Sequence, residues 1–96
     1  MPNTRGGIER RLRDVTRRIA KAREELAVIE AQRAALAEDA DEASVRALVS
    51  EQIADGRTRT EATRAVEAMD RSRQAVLAEI EQLVRTRDDL LERLPL

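Results

Sequence analysis

Three groups of side chains in this 96-residue chain are of types that could do chemistry. Gly56-Arg57-Thr58-Arg59-Thr60 places two guanidinium groups and two hydroxyls beside a glycine. Such donors suit a phosphate, above all where a helix begins and its first amides are free. Arg10, Arg13 and Arg17 belong to a strongly basic segment and could meet an acidic protein surface or a nucleic-acid backbone. Glu38, Asp39, Asp41 and Glu42 crowd carboxylates into one short stretch. Carboxylates and hydroxyls do acid–base work only in a pocket that shifts their pKa values, and a thin helical chain seldom forms one.

The residues that are missing narrow the chemistry further. There is no His, Cys, Phe, Trp or Tyr. A Ser-His or Cys-His pair, an imidazole or thiolate metal site and an aromatic platform for single-stranded nucleic acid are therefore excluded. The expectation is a protein that is not an enzyme and holds no metal or cofactor. The chain is 39% charged and 42% hydrophobic, a composition typical of coiled coils and long helices. Lys21 is the only lysine among eighteen basic residues, which reads as the coding bias of a GC-rich bacterial genome. No apolar run is long enough for a transmembrane helix or a signal peptide, so no membrane contact and a cytoplasmic location are expected.

Two heptad ladders must position these groups. The first is Ile8, Leu12, Val15, Ile19, Ala22, Leu26, Ile29, Arg33, Leu36. The second is Val66, Met69, Arg73, Val76, Ile80, Leu83, Arg87, Leu90, Leu94. Steps of four and three over about four heptads mark a coiled coil. Between the ladders the phase changes: Ala40, Ala43 and Ala47 continue the first, while Val45, Leu48, Val49 and Ile53 lie on another face. The pattern predicts a frayed lead-in over 1–7, a first helix over 8–38, a short helix over 42–55 and a last helix over 59–94. Asp39 or Asp41 would cap the short helix, Gly56 would end it, and Thr58-x-x-Glu61 would open the last as a capping box.

Charge sets the direction. The first ladder starts basic and turns acidic, and so does the second. Antiparallel packing therefore brings unlike ends together. The register that pairs Ile8 with Leu94, Leu12 with Leu90, Ile19 with Leu83 and Leu26 with Val76 opposes each a position to a d position. It also pairs Val15 with Arg87, Ile29 with Arg73 and Arg33 with Met69, so that no two arginines meet. In it each seam arginine would lay its stem along the seam and lift its head to water. Leu77, Val84 and Leu91 widen the apolar face of the last helix and predict self-association. The expected fold is all-α, an antiparallel coiled-coil hairpin with a short connector helix that dimerises into a helix bundle.

Two stretches are similar to known families. Residues 44–68, SVRALVSEQIADGRTRTEATRAVEA, resemble the helix-turn-helix half of a ribbon-helix-helix DNA-binding domain. The resemblance implies that Gly56, Arg57, Thr58, Arg59 and Thr60 contact the DNA backbone. The basic strand of that family has no counterpart, because the acidic AEDADEA occupies its place. Glu38-x-x-Asp41-x-Ala43 is similar in kind to the acidic coiled-coil tips of transcription factors that enter the RNA polymerase secondary channel. That likeness implies carboxylates approaching the catalytic Mg²⁺; the globular or zinc-binding part of those factors is absent. The function expected first is a non-catalytic protein–protein interaction module, a small adaptor or regulatory subunit whose partner is another protein, itself, or both. A DNA-binding regulator using the 56–60 turn or the basic 10–23 face is the alternative, and an RNA-polymerase-binding tip factor a further one.

Overall fold

The computed structural model describes residues 4–95, and they form two helices joined by a corner of three residues. Helix α1 spans Arg5–Val49 and helix α2 spans Ile53–Arg93. The chain is an all-α helical hairpin. By contact the described residues divide into two compact units: those up to residue 26 with those from residue 75 onward form one, and residues 27–74 form the other. Both helices contribute to each unit.

Helix α1 begins earlier than the ladder predicts. Thr4 caps it, its Oγ1 accepting the Gly7 amide at 3.1 Å, and the Ile8 amide donates to the Thr4 carbonyl at 2.9 Å. Those bonds satisfy amides that a helix start otherwise leaves without partners. The lead-in expected to fray is thus helical from Arg5, and only its residues 1–3 lie outside the described part.

The first unit contains the well-filled core. Ile8, Val15, Ile19, Ala22, Leu83 and Leu90 are buried together, with Leu12, Val76, Ile80, Val84 and Leu94 packed against them. Ile8 and Leu90 are each only 1% exposed. All of these core residues except Val84 occupy positions the antiparallel register assigns to the seam. Small Ala22 beside large Ile80 is the alternation that lets facing layers interlock.

The second unit departs from the expected plan. No break occurs at Glu38–Ala43, and no separate helix covers 42–55; α1 continues to Val49. The reason lies in Ala40, Ala43 and Ala47, which extend the first ladder unchanged. Ala43 is buried at 5% exposure, so small side chains form the seam. The larger Val45, Leu48 and Val49 stay outside it. Alanine has the best helix propensity, and that outweighs Asp39 and Asp41, which are tolerated on an exposed face.

Nor do Gly56 and Thr58 stop or start a helix. Gly56 has no left-handed backbone, and none of the glycines among the described residues does. Thr58, Thr60 and Thr63 each donate a hydroxyl hydrogen bond to the carbonyl four residues earlier, at 3.0, 3.0 and 2.9 Å. This back-bonding satisfies the hydroxyl inside a helix and removes the need for a capping role. The chain turns instead at Ser50-Glu51-Gln52. The Ser50 amide donates to the Arg46 carbonyl at 3.1 Å, and the Ser50 hydroxyl accepts the Gln52 amide at 3.1 Å. Asp55, in the first turn of α2, complements that helix's dipole. The corner is centred on Glu51, which is the centre the predicted register requires.

Burial separates the two kinds of leucine. Leu90→Ala is expected to lower unfolding free energy by about 2–5 kcal/mol in urea melts. Leu48→Ala, at an exposed site, should stay within about 0.5 kcal/mol of the parent. An Ile19→Cys, Leu83→Cys double variant should form an intramolecular disulfide on oxidation; a crosslink only between molecules would refute the register.

Candidate functional site

Charged side chains in the second unit form one cross-helix arrangement. Arg33 of α1 donates from Nε to an Asp70 carboxylate oxygen of α2. Arg73 of α2 donates from Nε to Glu30 Oε1 of α1 at 3.3 Å. Each helix thus carries an acid and, one turn later, a seam arginine, and each arginine reaches the other helix's acid. Ala34 lies beside the group and leaves room for the guanidinium heads. The hydrogen bond from Arg33 to Asp70, and then the charge of that carboxylate, hold the guanidinium above its ordinary pKa. A cation whose folded pKa is raised keeps its stabilisation at every pH below its unfolded pKa. The Arg33 contribution is lost only as pH rises through the folded value, in strongly alkaline solution.

The sequence placed Arg33 and Arg73 in the seam but sent their heads to water. It did not single out Glu30 and Asp70, although both follow a d position and the spacing Glu30-x-x-Arg33 and Asp70-x-x-Arg73 was there to read. Arg87, the third seam arginine, instead pairs along its own helix with Asp88 at 3.4 Å. In the first unit Arg5–Glu9 and Arg93–Asp89 also stay within one helix, at 3.0 and 3.3 Å. Among the described residues no ion pair joins the basic start of α1 to the acidic end of α2. Attraction between unlike ends there has no direct contact behind it, and the apolar core fixes the alignment.

The other expected site residues fall in three places. Arg10, Arg13 and Arg17 are exposed on α1. Glu38, Asp39, Asp41 and Glu42 are exposed too, but on the body of α1, roughly two turns before the corner, so they form no hairpin tip. Arg57, Arg59 and Thr60 are exposed within the first two turns of α2, so the turn expected at 56–60 is continuous helix. Of the residues expected to self-associate, Val84 packs against the core and Leu77 is half-buried. Leu91 alone of the three is mostly open, at 51% exposure.

A surface that the sequence did not mark stands at the corner. Val45, Leu48, Val49 and Ile53 are 62–82% exposed. Ile53 opens a shallow groove along α2 lined by Gly56, Arg57, Thr60, Glu61 and Arg64. At Gly56 nothing lies within 4 Å of where a side chain would stand, so backbone is accessible there. On α1, Val45 lies in a second groove with Asp41, Glu42 and Arg46. The four apolar side chains were visible in the sequence as a phase change, but were assigned to a helix with its own buried face. Among the described residues no group of three or more acids is placed to hold a metal ion, and no helix is long and apolar enough to cross a membrane.

The crosswise pairs are open to test by charge exchange. Arg33→Asp should lower the thermal midpoint by less than Leu90→Ala does, because the pair is half exposed. Adding Asp70→Arg should recover most of the loss, and both effects should shrink in high salt. No recovery in the double variant would show that the two side chains do not interact. Comparison of the chain with protein-family models, with characterised proteins and with solved structures returns no match.

Proposed function

We propose that this chain is a non-catalytic protein–protein interaction module, a small adaptor or regulatory subunit acting through its helical hairpin. The observation that supports it is the apolar surface at the corner. Exposed aliphatic side chains are ordinary when scattered singly. Here Val45, Leu48, Val49 and Ile53 fall within nine residues, on the two helix ends that flank one turn, each more than 60% exposed. Apolar groups clustered in this way, with charged residues at their edges, are the usual composition of a binding surface. The small-residue seam beneath them accounts for their exposure: Ala43 takes the buried position and the larger side chains are left outward.

The DNA-binding alternative draws support from Arg10, Arg13 and Arg17. They are exposed, and among the described residues none of them is held in an ion pair. Binding of this kind would weaken steeply with salt. Absence of any shift of duplex DNA at low salt would remove it.

The interaction reading predicts that a Leu48→Asp, Val49→Asp variant keeps its helical circular dichroism and loses the proteins the parent chain captures from a native lysate. Capture unchanged in that variant would mean that the corner is not the binding surface.

A further inference from the structure

We infer that the occupant of the corner surface is a second copy of this chain, docked head to tail, the acidic outer stripe of α1 lying on the basic outer stripe of α2. The inference rests on the interaction reading above and specifies its partner. Two stripes carry it. On α1, Glu38, Asp41, Glu42, Val45 and Val49 recur at helical spacing and are all exposed. On α2, Ile53, Arg57, Thr60, Arg64 and Arg71 do the same. Helical periodicity puts each stripe opposite the seam: Ala43 and Ala47 lie half a turn from Val45, and Ala62 and Val66 half a turn from Ile53 and Arg57. In this unit the hairpin therefore presents an acidic side and a basic side, facing away from each other.

The charges on these stripes are uncommitted. Among the described residues none of Glu38, Asp41, Glu42, Arg57, Arg64 or Arg71 takes part in an ion pair. Arg46 borders the acidic stripe, while Glu61 lines the α2 groove between Arg57 and Arg64 and Glu67 lies on the same face, so three acids stand against one arginine on α1 and three arginines against two glutamates on α2. Both stripes are ordered alike along the hairpin. Each is apolar beside the corner, at Val45 and Val49 and at Ile53, and each becomes charged farther from it. When two copies lie side by side with their corners at the same height, the α1 of one runs antiparallel to the α2 of the other. Val49 then falls near Ile53 and Glu38 near Arg64, and Asp41 and Glu42 lie within about a turn of Arg57 and Arg64, while Asp41 is level with Glu61 and Val45 with the stem of Arg57. Parallel contact would set the apolar end against the charged end and lose both. Open backbone at Gly56 allows close approach at the corner end of this contact.

The symmetry of the contact has a consequence for size. Because the two stripes face opposite ways, one copy cannot engage both of its own with both of a single partner's. The contact is heterologous, and each pair leaves one acidic and one basic stripe free. Association should continue past the dimer as concentration rises.

Sedimentation velocity over a concentration series tests this with two variants of exposed residues. One carries Glu38→Lys, Asp41→Lys and Glu42→Lys; the other carries Arg57→Glu and Arg64→Glu. The parent chain is expected to sediment as a concentration-dependent series that grows beyond dimer and shrinks in high salt. Each variant alone should associate on the order of a hundredfold more weakly, since like charges then face each other. An equimolar mixture of the two should associate again, because each then offers a complementary stripe. Three results would overturn the inference: a parent chain that stays monomeric, association untouched by both sets of reversals, or two monomeric variants that do not associate when mixed. If the parent is monomeric and the Leu48→Asp, Val49→Asp variant still loses its captured proteins, the interaction reading stands and its partner is a different protein. Circular dichroism of each variant shows that helicity is retained.

Discussion

A pair of helices has one seam in which to bury side chains, and every other property of this hairpin follows from that limit. Each helix can hide about one stripe along its length against its neighbour. Whatever is apolar outside that stripe must face water or another molecule. In the first unit the stripe takes almost all of the large aliphatic residues, and Ile8, Ile19, Leu83 and Leu90 nearly vanish from the surface. In the second it is shared by alanines, Arg33, Arg73 and the half-buried Ile29, Leu36, Val66 and Met69, and the large aliphatics nearest the corner are displaced outward.

The two units therefore solve different problems with one backbone arrangement. The first gains stability from area removed from water, the dominant favourable contribution to folding. The second gains less area and more definition. Ion pairs at partly exposed positions contribute modestly, yet their directionality specifies which residues face one another. The crosswise joining of Arg33 to Asp70 and Arg73 to Glu30 opposes any slip of one helix along the other, since a slip would separate both pairs at once. A polar residue in the seam that fixes register at some cost in stability is well known among coiled coils.

Much of this was legible in the residues themselves. The two ladders and the alternation of charge specify an antiparallel hairpin, and every buried core residue of the first unit belongs to a ladder. Local signals misled where they competed with the ladder. Gly56, Thr58 and the EDADEA run look like punctuation, yet the alanines of the seam continue through them and helix forms across all three. Propensity at one residue is worth a fraction of a kcal/mol to about 1 kcal/mol, while a continuous seam acts over many. The acids that receive the seam arginines were not identified, because a heptad written on one helix does not say which neighbour a long side chain will reach across to. The exposure of Leu48 and Val49 was hidden for a similar reason: large aliphatics are ordinarily taken for core, and only the packing of Ala43 shows that the core position was already filled.

The first turns of α2 combine features that matter for how the molecule opens. Ile53 to Thr60 are mostly exposed, include Gly56 in a helix interior, and have hydroxyls bonded to carbonyls that also serve the helix ladder. Among the described residues of the second unit, no large aliphatic side chain is fully buried. Native proteins open in parts, and the parts with few buried apolar contacts open at the least cost. Amide protons at the start of α2 should therefore exchange with solvent well before those around Leu83 and Leu90. The hairpin would come apart from its turn rather than from its free ends, an order opposite to the fraying that usually begins at chain termini.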